Sequence, residues 1–238
     1  MDISNIKIGI TIGDINGIGP EVIIEALKDN RLYTDCTPII YGSAKVMAFY
    51  KKNLEENDFA YQSVKSADDA APRKINIINV WQEETTIEPS KITETAGKYA
   101  FKALEAATND LAANKIDILV TAPISKEAIQ KAGFQFPGHT EYLAHLSGEE
   151  EALMFMVSDT VKVAVVTSHI PLKEVATTLT KEKIYKKIVA LNNSLIKDFG
   201  VIRPKIAVLG LNPHAGENGK MGNEEQEIIS PAISQAWN

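Results

Sequence analysis

Two histidines follow apolar runs in a similar way, each close to a proline. KVAVVT (162–167) leads into Ser168, His169, Ile170 and Pro171, and KIAVLGL (205–211) leads into Asn212, Pro213 and His214. If both runs are parallel strands of one sheet, the two imidazoles leave at the same carboxyl edge and can converge. Neutral imidazole nitrogen is a preferred ligand for zinc and several other divalent ions, so the pair points to a metal site. Asn212 and Glu217 are then candidates to fix the imidazole tautomer from outside the metal. A catalytic metal normally holds three protein ligands and one open position, so the pair leaves a ligand to be found.

A third histidine lies in 136-FPGHTEYLAHLSG-148. Phe136-Pro137-Gly138 reads as a turn, with His139 and Thr140 at the start of a helix running to Gly148. Unpaired N–H groups at a helix start suit a phosphate or carboxylate, and Thr140 reads equally as a plain cap. His145 falls on another face and reads as a structural or surface residue.

Two further strand ends carry weaker signals. In 13-GDINGIGPE-21 a tight turn runs into a helix opened by Pro20. Its G-x-x-x-G-x-G order is not the dinucleotide fingerprint, and a turn required by geometry is as good a reading as a ligand contact; Asp14 shares both readings. After IDILVT (116–121), Pro123 stops the strand and Ser125 is placed to cap a helix. Lys126 would sit in that first turn against the helix dipole, which hints at an anion, although a solvated lysine is the plainer reading.

The elements that must position these residues alternate. IKIGITI (6–12), TPIIY (37–41), INIINV (75–80), IDILVT, KVAVVT and KIAVLGL read as buried strands. Residues 93–114 place Tyr99, Ala103, Ala106 and Leu111 near the helical period; residues 181–199 do so with Ile184, Ile188, Leu191 and Leu195. The polar stretch 63–74 reads as a surface loop. Strands separated by helices predict an α/β fold with a mainly parallel sheet, whose ligands gather beyond the carboxyl ends of the strands. The expected division is a first α/β subdomain over 1–122 and a second over 123–238. The closing pattern EEQEIISPAISQAWN begins a helix near Pro231 and stops soon after, which reads as a truncated end.

Composition narrows the function classes. The 238 residues carry a formal net charge of −6, with no basic block to serve nucleic acid or a membrane surface. The single cysteine, Cys36, excludes an internal disulfide and a cysteine-based metal site. The N-terminal residues lack a secretory pattern and no apolar run approaches membrane-spanning length, so the expected compartment is the cytoplasm.

Taken in order, GDINGIGPE, TAPISK, FPGHTEYLA, VVTSHIPL and GLNPHAGENGKMGNEE resemble the 4-hydroxythreonine-4-phosphate dehydrogenase family of pyridoxal phosphate biosynthesis. The resemblance runs across nearly the whole chain. It implies an isocitrate/isopropylmalate dehydrogenase-like α/β/α fold, NAD or NADP as cofactor, and a divalent metal (Zn, Mg, Co or Mn). It also implies a homodimer with shared active sites. By motif, His169 and His214 match two of three metal-binding histidines, and His139 with Thr140 matches the pair that binds a small phosphorylated hydroxy-amino acid. The third family histidine, with the lysine, asparagine and arginine that hold substrate, is expected in a segment following Asn238. On that expectation the 238-residue form alone is inactive. A four-carbon sugar-acid phosphate, such as threonate or erythronate 4-phosphate, is the alternative substrate; a non-catalytic binding remnant is the alternative class.

Overall fold

A computed structural model describes residues 6–148 and 152–237. They fall into two compact units, residues 1–150 and 151–238.

The first unit is built on five parallel strands in the order β3-β4-β2-β1-β5. These are β1 (Ile6–Thr11), β2 (Cys36–Gly42), β3 (Gln62–Val64), β4 (Asn76–Asn79) and β5 (Ile118–Thr121). A parallel sheet needs apolar cover on both faces, which explains the near-continuous isoleucine of its central strands. Ile39, Ile40 and Ile77 are fully buried. The covering helices are α1 (Gly19–Leu27), α2 (Ala44–Asn53) and α3 (Glu94–Ala112), α3 lying on β1 and β2. The α/β class expected from sequence is borne out here, with β3 a short strand at the start of a stretch read as loop.

α3 also faces away from the sheet. Ala100 and Leu104 join Ile129, Phe134 and Tyr142 in a second apolar cluster, which seats α4 (Lys126–Lys131) and α5 (His139–Ser147). Gly97 permits the close approach, because a Cβ there would run into the backbone of Ala128. Residues 123–148, grouped on sequence with the second half, therefore pack in the first unit. The compact units divide after residue 150, not after 122.

The second unit contains an antiparallel hairpin of β6 (Phe155–Val157) and β7 (Lys162–Ala164), followed by α6 (Val175–Thr178), α7 (Lys181–Lys197) and α8 (Ser230–Trp237). Thr180 caps α7 by accepting the Lys183 N–H, and the predicted apolar face buries Ile184 and Leu195. Pro231 lies in the first turn of α8, preceded by a π-helical turn over Glu225–Ile229.

Two strand expectations need correction. KVAVVT forms a strand only over its first three residues, and its partner is antiparallel. KIAVLGL joins no sheet among the described residues. A β-branched alternating run reads as a strand whatever covers it. Here Val208 and Leu211 pack against Ile184 of α7 and Ala232 of α8, while Leu209 is 84% exposed with no strand beside it.

Candidate active site

In the first unit, the corners after β1 and β5 are tied together. Asp14 N–H donates to Pro123 O at 2.9 Å, and Ala122 N–H to Thr11 O at 3.2 Å. Gly13 has φ +72°, and any Cβ there would strike the Pro123 carbonyl, so glycine is demanded by both angle and space. Asn16 explains the rest of the GDINGIG segment. Its Nδ2 donates to Lys91 O and Thr93 Oγ1 at 3.0 Å each, its Oδ1 accepts from Glu88 N–H at 2.8 Å, and its own N–H reaches Asp14 Oδ1 at 2.9 Å. These bonds are internal, so geometry accounts for most of the corner. Two polar groups there stay unexplained by packing. Thr11 Oγ1 is buried with no hydrogen-bond partner, and burial raises the Asp14 carboxyl above its ordinary range, opposed by the Asn16 N–H.

α4 and α5 start side by side. Ser125 caps α4 by accepting Ala128 N–H at 3.2 Å, as its spacing predicted. A Cβ placed at Gly138 would lie 3.8 Å from Lys126 Cε and 3.5 Å from Glu141 Oε2, so the Lys126 side chain passes the opening turn of α5. Gly138 occupies the N-cap position of that turn and offers no side-chain cap for its N–H groups. Thr140 is therefore not the cap, and it is exposed to solvent. His139 Nε2 is buried without a hydrogen-bond partner. Burial pushes the His139 imidazole below its ordinary pKa, toward the neutral form. A buried nitrogen of this kind, beside a lysine and a helix start, is suited to receiving a polar ligand group. Tyr142, one turn on, is held among Phe101, Phe134 and Phe136 and so anchors the helix that presents His139. His145 lies against Phe136, ring centroids 5.2 Å apart.

In the second unit both remaining histidines are exposed, and both have left-handed backbone, φ +56° at His169 and +52° at His214. Such angles are uncommon in non-glycine residues and collect at functional sites. The segments leading to them face one another. Val166 and Thr167 line the same apolar cavity, of about 250 Å³, as Gly210 and Leu211. That volume is below the ordinary range for ligand pockets, so the cavity is a gap between the two arms. The two imidazoles match the donor chemistry of a divalent cation. Among the described residues no three His, Cys, Asp or Glu side chains come together as a metal set.

Asn212 and Glu217, the two candidates for fixing the imidazole, have different surroundings. Glu217 is exposed and pairs with Lys220 at 3.8 Å. Asn212 points instead to Glu224 and Glu225, its Nδ2 donating at 2.7 and 3.0 Å. Glu225 is only 7% exposed. Its Oε1 accepts the N–H groups of Leu211 and Asn212 at 2.8 and 2.6 Å, and bonding from Asn212 foremost lowers its pKa despite burial. The available signal was the acid pair Glu224-Glu225, which closes a glycine-rich turn directly before a helical pattern.

A parallel α/β unit with an uncapped helix start and a buried free imidazole at its ligand edge, joined to a unit bearing two strained histidines, has the outline of a small-molecule enzyme. The family model for the pyridoxal phosphate biosynthetic protein PdxA matches residues 34–238, and the chain belongs to that family. It is 45% identical over 236 residues to a 4-hydroxythreonine-4-phosphate dehydrogenase of Bacteroides thetaiotaomicron, covering 99% of this chain and 65% of the relative. A D-threonate 4-phosphate dehydrogenase of Pectobacterium atrosepticum is 35% identical over 232 residues, covering 95% of this chain and 70% of the relative. Among solved structures, a 4-hydroxythreonine-4-phosphate dehydrogenase from Burkholderia phymatum superposes with a TM-score of 0.83 at 33% identity, covering 96% of this chain and 70% of the other. The chain thus spans about two thirds of the length of these relatives, slightly less for the Bacteroides protein.

Proposed function

We propose that the chain serves an NAD(P)- and divalent-metal-dependent dehydrogenase that oxidises, with decarboxylation, 4-hydroxythreonine 4-phosphate on the way to pyridoxal 5′-phosphate. The observation that carries this reading is the partnerless buried Nε2 of His139 at the uncapped start of α5, in a chain whose family is known. His139 and Thr140 bind the anionic substrate, with the first-turn N–H groups of α5 and the neighbouring Lys126 favouring its negative charge. Because burial holds His139 neutral, it can donate or accept one hydrogen bond without adding a charge. His169 and His214 supply two imidazole ligands for a divalent cation (Zn, Mg, Co or Mn). A cation held there would supply polarisation of the substrate hydroxyl, and a nicotinamide cofactor would supply the hydride acceptor. The protein acts as a homodimer in the cytoplasm; no helix among the described residues is long and apolar enough to cross a membrane.

A second substrate, D-threonate 4-phosphate, is favoured by the names of three relatives. It presents the same phosphate and hydroxy acid, with a hydroxyl in place of the amine. The deciding measurement is reduction of NAD or NADP, followed by nicotinamide absorbance, with each substrate and a divalent cation. It is run on this chain and on the chain extended to its relatives' length. Turnover only with the sugar-acid phosphate keeps the chemistry and replaces the substrate. No turnover of either phosphate by either length would overturn the reading.

A further inference from the structure

The turn that carries His214 is made of backbone that L-residues avoid. Six successive residues from His214 to Gly219 have positive φ, at 52°, 51°, 79°, 43°, 55° and 90°. Gly216 and Gly219 tolerate such angles, whereas His214, Ala215, Glu217 and Asn218 each bring a Cβ too close to backbone oxygen. The turn is closed internally by Glu217 N–H to His214 O and Gly219 N–H to Gly216 O, both at 3.0 Å, and by Met221 N–H to Gly216 O at 3.1 Å. Consecutive strained residues persist only where their surroundings over-determine them.

The surroundings here converge on one carboxylate. Glu225 takes both main-chain N–H groups entering the turn, at Leu211 and Asn212, and the Asn212 side-chain amide as well. It also backs the turn's middle, since a Cβ at Gly216 would lie 3.1 Å from Glu225 Oε2. The residue opens the π-helical turn Glu225–Ile229, a wide form often found beside functional sites. With its oxygens committed to these donors, Glu225 works on the backbone and not as a ligand.

We infer that Glu225 is the positioning residue for His214: through Asn212 it holds the left-handed turn that aims the imidazole. This rests on His214 being a cation ligand, and the test separates the two. Zinc affinity is measured by competition with a chromophoric chelator for wild type, Glu225→Ala, Glu225→Gln and His214→Ala. HN–Hα couplings at His214 and Ala215 and amide exchange at Leu211 and Asn212 are followed by NMR. Removing an outer partner of a metal ligand typically weakens binding 10- to 100-fold. Glu225→Ala is expected in that range, with Glu225→Gln, which keeps one accepting oxygen, losing less. Adding Ala215→Gly, which adopts positive φ without help, should recover part of the loss. If His214→Ala weakens zinc binding but both Glu225 variants bind as wild type, the inference falls and the ligand assignment stands. If His214→Ala changes nothing, the ligand assignment falls, and the NMR readout decides for Glu225: unchanged couplings and exchange overturn it, and their loss supports it. Should Glu225→Ala fail to fold, Glu225→Gln and its Ala215→Gly double variant carry the same comparison.

Discussion

The Asp14 amide and the Pro123 carbonyl meet at 2.9 Å, joining two corners of the chain that flank neighbouring strands at the ligand edge of the sheet. Gly13 allows that contact. Gly13→Ala would force φ +72° on a residue with a Cβ and push that Cβ into Pro123 O. The expected loss is about 2 kcal/mol or more in urea unfolding. A variant within a few tenths of wild type would show that the two corners separate easily.

Gly97 makes a parallel case on the opposite side of α3, where a Cβ would meet the Ala128 backbone. Gly97→Ala improves helix propensity by about 1 kcal/mol, yet overpacking typically costs about 1–3 kcal/mol. Net destabilisation is expected, accompanied by faster amide exchange in α4 and α5. A rise in Tm would mean that α4 gives way without loss.

Asp14 and His139 bend stability against pH in opposite senses. Burial raises the folded pKa of Asp14 above its ordinary 3.8, so the fold binds this proton more tightly than the unfolded chain does. Its contribution is present below that value and is lost as pH rises through the folded pKa. Asp14→Asn, which keeps an oxygen for Asn16 N–H, should therefore raise Tm at neutral pH and flatten the slope above pH 4. An unchanged slope would show that the carboxyl is not buried in solution.

For His139 the folded pKa lies below the ordinary 6.5, so the unfolded chain binds the proton more readily. Stability is then full above about 6.5 and falls as pH drops from there toward the folded pKa. His139→Gln should remove that part of the acid-side loss. A profile identical to wild type between pH 7 and 5 would contradict the buried placement of Nε2.

Thr140 is exposed at the opening turn of α5 and caps nothing, so Thr140→Val should leave Tm nearly unchanged. On the proposed function it weakens binding of the phosphorylated substrate about tenfold, the scale of one hydrogen bond of about 1.4 kcal/mol, and leaves zinc affinity as it was. Loss of zinc with substrate affinity intact would place this motif at the wrong centre.

The first unit was legible because its signals agree. β1 and β2 are apolar runs that a parallel sheet buries on both faces, and α3 carries its apolar residues at helical spacing. In the second unit local pattern and partner diverge. Val208 and Leu211 are half-buried against helices, not strands, so a run that reads as a strand leaves His214 on an irregular arm. Glu225 was hidden for a related reason. Its partners are two backbone amides more than ten residues away, and backbone amides leave no mark in a sequence. His139, by contrast, was readable, because the turn Phe136-Pro137-Gly138 places it at a helix start whatever surrounds it.

The strand order has a consequence for the chain as it is made. β1 pairs on one side with β2, Ile6 opposite Cys36, and on the other with β5, Ile8 opposite Ile118. A nascent chain emerging at roughly 5–20 residues per second can close the first ladder early, but must carry the second edge of β1 open until β5 leaves the ribosome. Open edges template wrong pairings, so for this interval of several seconds the chain is open to aggregation along β1. Ribosome-bound chains arrested before Ile118 should therefore engage holdase chaperones, and chains arrested well beyond Thr121 should release them.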